Sequence, residues 1–203
     1  MSWRRNADEE SRTSPVRRIA QLLLVVVVLP ILIGGIVLLL TGRSAAFEVV
    51  RWRTERKFPE VSWLKAESLA SWQSDPAKPH PVLLDARTED EFAVSRLNGA
   101  ARIDPYRPSL RPLQKFPKDT SIVVYSSAGY RGARVASWLT RAGYTNVRNL
   151  AGGIFAWVNE GRPIFRGGSP AAQVHPYDQL WGRLVQAKYR AEAPDVQKRS
   201  AAP

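Results

Sequence analysis

The stretch from Ile122 to Ala142 constrains the fold more than any other. Between Ile122 and Arg131 the chain reads IVVYSSAGYR: a buried-type β run stops in a small, glycine-containing loop and re-emerges as an amphipathic helix from Arg131 to Ala142. This order aims consecutive backbone N–H groups and a helix N-terminus at one point, which suits an anion. Along the helix, Val135, Trp138, Leu139 and Ala142 form the inward stripe, Arg134 and Arg141 point outward, and Gly143 stands where a C-terminal cap belongs.

The flanking sequence supplies partners for that unit. Val61 to Trp63 reads as a short strand, and Lys65 to Trp72 as a short helix with Leu64, Leu69 and Trp72 inward. Pro76, Pro79 and Pro81 mark a loop that releases the chain into a strand at Val82 to Leu84. Thr88 to Val94 reads as helix, Arg107 to Lys118 as irregular, and Ile154 to Val158 as a helix entered through Gly152 and Gly153. Strands alternating with short helices predict a parallel sheet covered on both faces, with the ligand beyond the strands' C-terminal ends. Ser126 stands at such an end.

Several strings resemble the rhodanese (sulfurtransferase) family. That family's active-site loop follows the pattern Cys-x-x-Gly-x-Arg after an apolar strand, and here Gly129 and Arg131 are in place while Ser126 holds the cysteine position. Upstream, VLLDAR at Val82 to Arg87, then Glu91, Phe92, Gly99 and Ala100, is similar to the family's strand-Asp-x-Arg, Glu-Phe and Gly-Ala elements. Downstream, GYTNVRNLAGGIFAW from Gly143 to Trp157 looks like its C-terminal stretch. The resemblance covers Val61 to Phe165 and implies a rhodanese-like α/β domain over 61–166. It also implies an anion-binding loop of Ser126, Ser127, Ala128, Gly129, Tyr130 and Arg131, supported by Asp85 and Arg87. Arg131 either completes the cradle or pairs with Asp85 or Glu91 to hold the loop's shape.

The chain of 203 residues contains no cysteine. That excludes disulfides, thiolate metal sites and a cysteine nucleophile together. In a rhodanese the loop amides and helix dipole lower a thiol's pKa, and its thiolate carries sulfur as a persulfide. A serine oxygen forms no comparable carrier bond. A serine nucleophile would need a base, and the two histidines, His80 and His175, lie in proline-flanked segments with no Gly-x-Ser-x-Gly elbow nearby. No catalytic residue, metal or cofactor is expected.

Ile19 to Thr41 carries no ionised side chain between Arg18 and Arg43. About 20 such residues span roughly 30 Å of hydrocarbon as a helix, so a single-pass transmembrane anchor through the bilayer is expected at 19–41. The alternative is a cleaved signal peptide ending at the small residues Ser44, Ala45 and Ala46. Five basic residues near each end leave the orientation open. Residues 1–18 and 191–203 read as disordered tails, 42–60 as a basic linker or interfacial segment, and RGGSP at 166–170 as a linker. The remainder of 167–190 ends in an amphipathic helix from Tyr177 to Tyr189.

The expected protein is thus a membrane-anchored rhodanese-like module without sulfur transfer, binding a small oxyanion or a protein partner. The alternative is a sulfurtransferase-family enzyme working with a partner's thiol. Net charge +12 raises nucleic acid as a partner, but the basic residues cluster near the apolar segment and no aromatic-basic motif accompanies them, so none is expected.

Overall fold

The computed structural model describes residues 17, 19, 21 and 23–192. The chain divides into two compact units, Met1–Ser44 and Ala45–Pro203. In the first, a π-helical turn at Leu24–Val28 leads into helix α1, which is assigned over Leu29–Lys57. The span expected over 19–41 lies partly outside the described residues, and among those described no helix is long and apolar enough to cross a membrane. Nearly all of the tails expected at 1–18 and 191–203 also lie outside them.

The second unit is built on a five-stranded sheet: β1 (Ser62–Leu64), β2 (Val82–Asp85), β3 (Ala101–Arg102), β4 (Ile122–Tyr125) and β5 (Val147–Leu150). Its order is β1-β5-β4-β2-β3 and every pairing is parallel. Helices α2 (Ala66–Ser74), α3 (Glu89–Val94), α4 (Tyr130–Arg141) and α5 (Gly153–Asn159) provide the crossovers between strands or follow the last of them. Pairing with neighbours on both sides makes β4 central, and all four of its residues are buried. Alternation sorts the strand residues between two cores. Leu83, Val123 and Tyr125 pack with Leu69, Ile154 and Phe155 on one face. Leu84, Ile122 and Val124 pack with Val135 and Leu139 of α4 on the other. Each fully buried Leu, Ile or Phe contributes on the order of 2 kcal/mol, so both faces stabilise the sheet that positions the loop.

Three segments differ from expectation. Residues 42–57, read as a linker, are helical: Phe47 and Val50 pack on the first core, Thr54 is buried, and Arg51 pairs with Glu48 at 2.6 Å and Glu55 at 3.4 Å along the flank. The RGGSP stretch is a hairpin between β6 (Ile164–Arg166) and β7 (Ser169–Ala171), turned by Gly167 and Gly168 at φ 56° and 88°. Both values suit the two-residue turns that match strand twist. Tyr177 to Tyr189 is not an α-helix but two 3-10 turns, Trp181–Leu184 and Ala187–Tyr189. A bridge between Val174 and Arg190 draws the ends of this segment together, and a straight helix cannot close that distance. The apolar pattern still does its work, since Val185 is buried and Trp181, Leu184 and Tyr189 pack on the first core.

Candidate functional site

The loop 126–129 joins the C-terminal end of β4 to the N-terminus of α4. Its sharp reversal depends on Gly129, which caps α4 at φ 111°, a conformation costly for any residue with a Cβ. A Cβ there would also stand 3.4 Å from Trp63. Asn149 on β5 donates to the Gly129 carbonyl at 2.9 Å. The amides of Ile154 and Phe155 donate to the carbonyls of Ser126 and Ser127 at 2.9 and 3.1 Å. Gly153 permits that approach, because a Cβ on it would overlap the Ser126 carbonyl. The glycine pair therefore shapes backbone packing, as its sequence suggested.

Ser126 is 1% exposed. Its Oγ accepts the Gly129 N–H at 3.2 Å, so an oxygen sits inside the turn of the loop. The N–H groups of Ser127, Ala128, Tyr130 and Arg131 find no acceptor among the described residues. For the first turn of a helix this is the expected state, and it leaves a partial positive charge there. Ser127, Ala128 and Gly129 are buried as well, and Tyr130 is 40% exposed.

Arg131 pairs with Glu91 rather than with Asp85. Its Nη1 and Nη2 each reach a Glu91 oxygen at 2.7 Å, and Nη2 also donates to Ser127 Oγ at 2.9 Å. Ser127 Oγ in turn donates to Glu91 Oε1 at 2.7 Å. Thr88 caps α3 and gives Glu91 both its N–H and its hydroxyl, a capping box whose Thr-x-x-Glu spacing stands in the sequence. Burial pushes the Glu91 carboxyl up, but the Arg131 bond and charge, with the Thr88 and Ser127 donors, outweigh it and hold the pKa at about 2. Arg131 is correspondingly held above the usual guanidinium value.

Asp85 and Arg87 meet as a fully buried pair at the end of β2. Arg87 donates to both Asp85 oxygens, at 2.9 and 2.7 Å, and to the Ser95 carbonyl at 2.5 Å. Burial works against the charge on Arg87 and Asp85 restores it, leaving the guanidinium firmly protonated. Tyr125 lies beneath this pair, and burial and the Asp85 charge raise its phenol well above normal. These groups tie β2 to β4 below the loop.

Residues outside the sequence motifs also border the site. Tyr177, at φ 69° the one non-glycine residue with positive φ among those described, has its ring 4.7 Å from the Arg131 guanidinium. Its N–H donates to Nδ1 of His175 at 3.0 Å, and burial lowers the pKa of that histidine. On the other side, Lys57 Nζ donates to the Tyr130 hydroxyl at 2.7 Å and the Phe58 ring meets Tyr130 edge-on at 5.8 Å. Nothing in local pattern announced these partners; only the path of the two flanking segments brings them in.

Comparison with known proteins agrees with this architecture. Residues 65–160 match the model of the rhodanese-like domain. The chain is 33% identical over 104 residues to a protein from Allochromatium vinosum named sulfurtransferase, covering 51% of this chain and 94% of that one. It is 29% identical over 106 residues to a tRNA uridine(34) hydroxylase from Erwinia tasmaniensis, of which it covers 29%. Among solved structures, the Alr3790 protein from Anabaena sp. is similar with a TM-score of 0.47 and 24% identity, over 51% of this chain and 91% of that one. On the family match and the near-complete coverage of the first relative, the chain belongs to the rhodanese-like domain family.

Proposed function

We propose that this protein is a membrane-anchored rhodanese-like module that transfers no sulfur and acts by binding at the 126–131 loop. The observation that carries this reading is a loop that keeps its turn, its unpartnered amides and its Arg131 brace around Ser126, in a chain with no cysteine. By resemblance Ser126 stands at the family's cysteine position. A hydroxyl there is uncharged and supplies a donor to an incoming anion, whereas a thiolate repels it. The ligand class is a small oxyanion held by the amides of Ser127, Ala128, Tyr130 and Arg131.

Anchoring rests on the run without ionised residues at 19–41 and on the exposure of its described side chains. Ile19, Leu23, Leu24, Val25, Val26 and Ile31 are 55–68% exposed, as lipid-facing residues are. Titration of the full chain in detergent micelles with sodium phosphate, followed by amide chemical shifts, tests the binding reading. Shifts at Ser127 to Arg131 that weaken with added sodium chloride support it. Shifts scattered over the basic surface with that loop unmoved contradict it.

A further inference from the structure

Helix α1 touches both brackets of the loop. One bracket is the start of α4, where Lys57 Nζ bonds the Tyr130 hydroxyl at 2.7 Å and Phe58 meets the Tyr130 ring at 5.8 Å. The other is the turn before α5. There a Cβ on Gly152 would lie 3.3 Å from the Phe47 ring, and the next residues hold the Ser126 and Ser127 carbonyls. Phe47 and Lys57 are about 15 Å apart along the helix at about 1.5 Å per residue, so one rigid element reaches across the loop. Neither Phe47 nor Lys57 falls within the family-matched residues 65–160.

The two ends of this contact differ in strength. Phe47 and Val50 join the first core, Thr54 is 1% exposed and Phe58 packs partly buried on the second core, whereas Lys57 is exposed and its contact is polar. Exposed polar contacts contribute roughly 0–1 kcal/mol each. The outward face carries Val49 and Trp52, 52% and 54% exposed, with Arg56 stacked 5.0 Å from Trp52. Local opening therefore starts at the exposed Lys57–Tyr130 contact, where little free energy resists it.

We propose that residues 45–58 are a clamp on the binding loop. Closed, with Phe47 on Gly152 and Lys57 and Phe58 on Tyr130, it keeps residues 126–129 buried; released, it opens them to ligand. The proposal rests on the loop being the binding site, and it names the element that regulates entry. Its direct consequence is that access to position 126 depends on residues 47, 57 and 58, which do not touch Ser126.

The absence of native cysteine makes Ser126→Cys a single-thiol reporter in the full chain, read by its labelling rate with a thiol-reactive disulfide reagent in detergent micelles. With Lys57→Ala and Phe47→Ala added, labelling is expected to accelerate about tenfold, and about threefold with Lys57→Ala alone, because the rate follows the population of the open form. Trp52→Ala, on the outward face, is expected to leave it unchanged. Ser95→Cys in the same backgrounds separates local release from unfolding, since Ser95 is fully buried and its Oγ has no hydrogen bond to lose. Acceleration at 126 with none at 95 supports the clamp. Equal rates with and without the substitutions overturn it, and so does parallel acceleration at both positions. Sodium phosphate titrated against the Lys57→Ala chain with Ser126 restored tests the underlying reading separately: an opened loop whose amides ignore phosphate retires the binding site and leaves the clamp standing.

Discussion

Glu91 and Arg131, 40 residues apart in the chain, face each other through two hydrogen bonds of 2.7 Å, with Ser127 Oγ bonded to both. The loop is thereby fastened to the N-terminus of α3, and its arginine serves the protein's own carboxylate. Glu91 is 2% and Arg131 11% exposed, so solvent screens this pair little.

Arg131→Ala leaves a buried carboxylate with its strongest partner gone. Breaking such a pair costs about 3–5 kcal/mol, and thermal unfolding is expected to show a loss in that range. Arg134→Ala, on the exposed side of the same helix, is expected to change little. In a double-mutant cycle, Glu91→Gln with Arg131→Gln is expected to cost clearly less than the sum of the single changes. Additive costs would show that the pair does not act as a unit.

The same pair sets an acid limit. Glu91 has a pKa of about 2 when folded, against an unfolded value near 4.5. A folded value below the unfolded one means that the unfolded state binds the proton more readily. The stabilisation is therefore present above about pH 4.5 and lost as pH falls toward 2, by on the order of 3 kcal/mol in all. Urea midpoints measured from pH 6 down to pH 2.5 are expected to drop through this window. Glu91→Gln is expected to be less stable at neutral pH and to lose less on acidification; an equally steep loss in that variant would move the acid sensitivity elsewhere.

Two glycines separate strain from collision. Gly143 has φ +91° with open space around it, while Gly153 has φ +57° and packs on the Ser126 carbonyl. Gly143→Ala is expected to cost about 1 kcal/mol from the left-handed backbone alone. Gly153→Ala is expected to cost well beyond that, because backbone must move. Equal melting temperatures for the two variants would contradict the close approach of the α5 turn to the loop.

The proposed anchor makes a separate demand. If 19–41 inserts in the bilayer, the full chain is expected to stay with membranes through high-salt and alkaline washing, since hydrophobic insertion is not screened. Recovery of the intact chain in the wash would point to attachment through exposed basic residues instead.

Much of this architecture was legible in the residues. The apolar run at Ile122 to Tyr125, the stripe of Val135 and Leu139 and the turn glycines Gly129 and Gly152 act within a few positions of each other, and such local signals survive folding. Thr88 and Glu91 carried a capping signature, but the choice of Glu91 over Asp85 as partner for Arg131 depends on how the ends of β2 and β4 line up. Tyr177 to Tyr189 had helical spacing, yet the bridge from Val174 to Arg190 overrode it. The contacts of Phe47, Lys57 and Tyr177 arise from segments outside the matched domain folding back on it, which no local period encodes.

The proposed function keeps the family's loop without the family's chemistry. Thiosulfate:cyanide sulfurtransfer by the purified full chain, beside Ser126→Ala, tests it most directly. We expect no turnover above the Ser126→Ala control, because no residue in the chain can carry a persulfide. Turnover that Ser126→Ala abolishes would overturn that proposal.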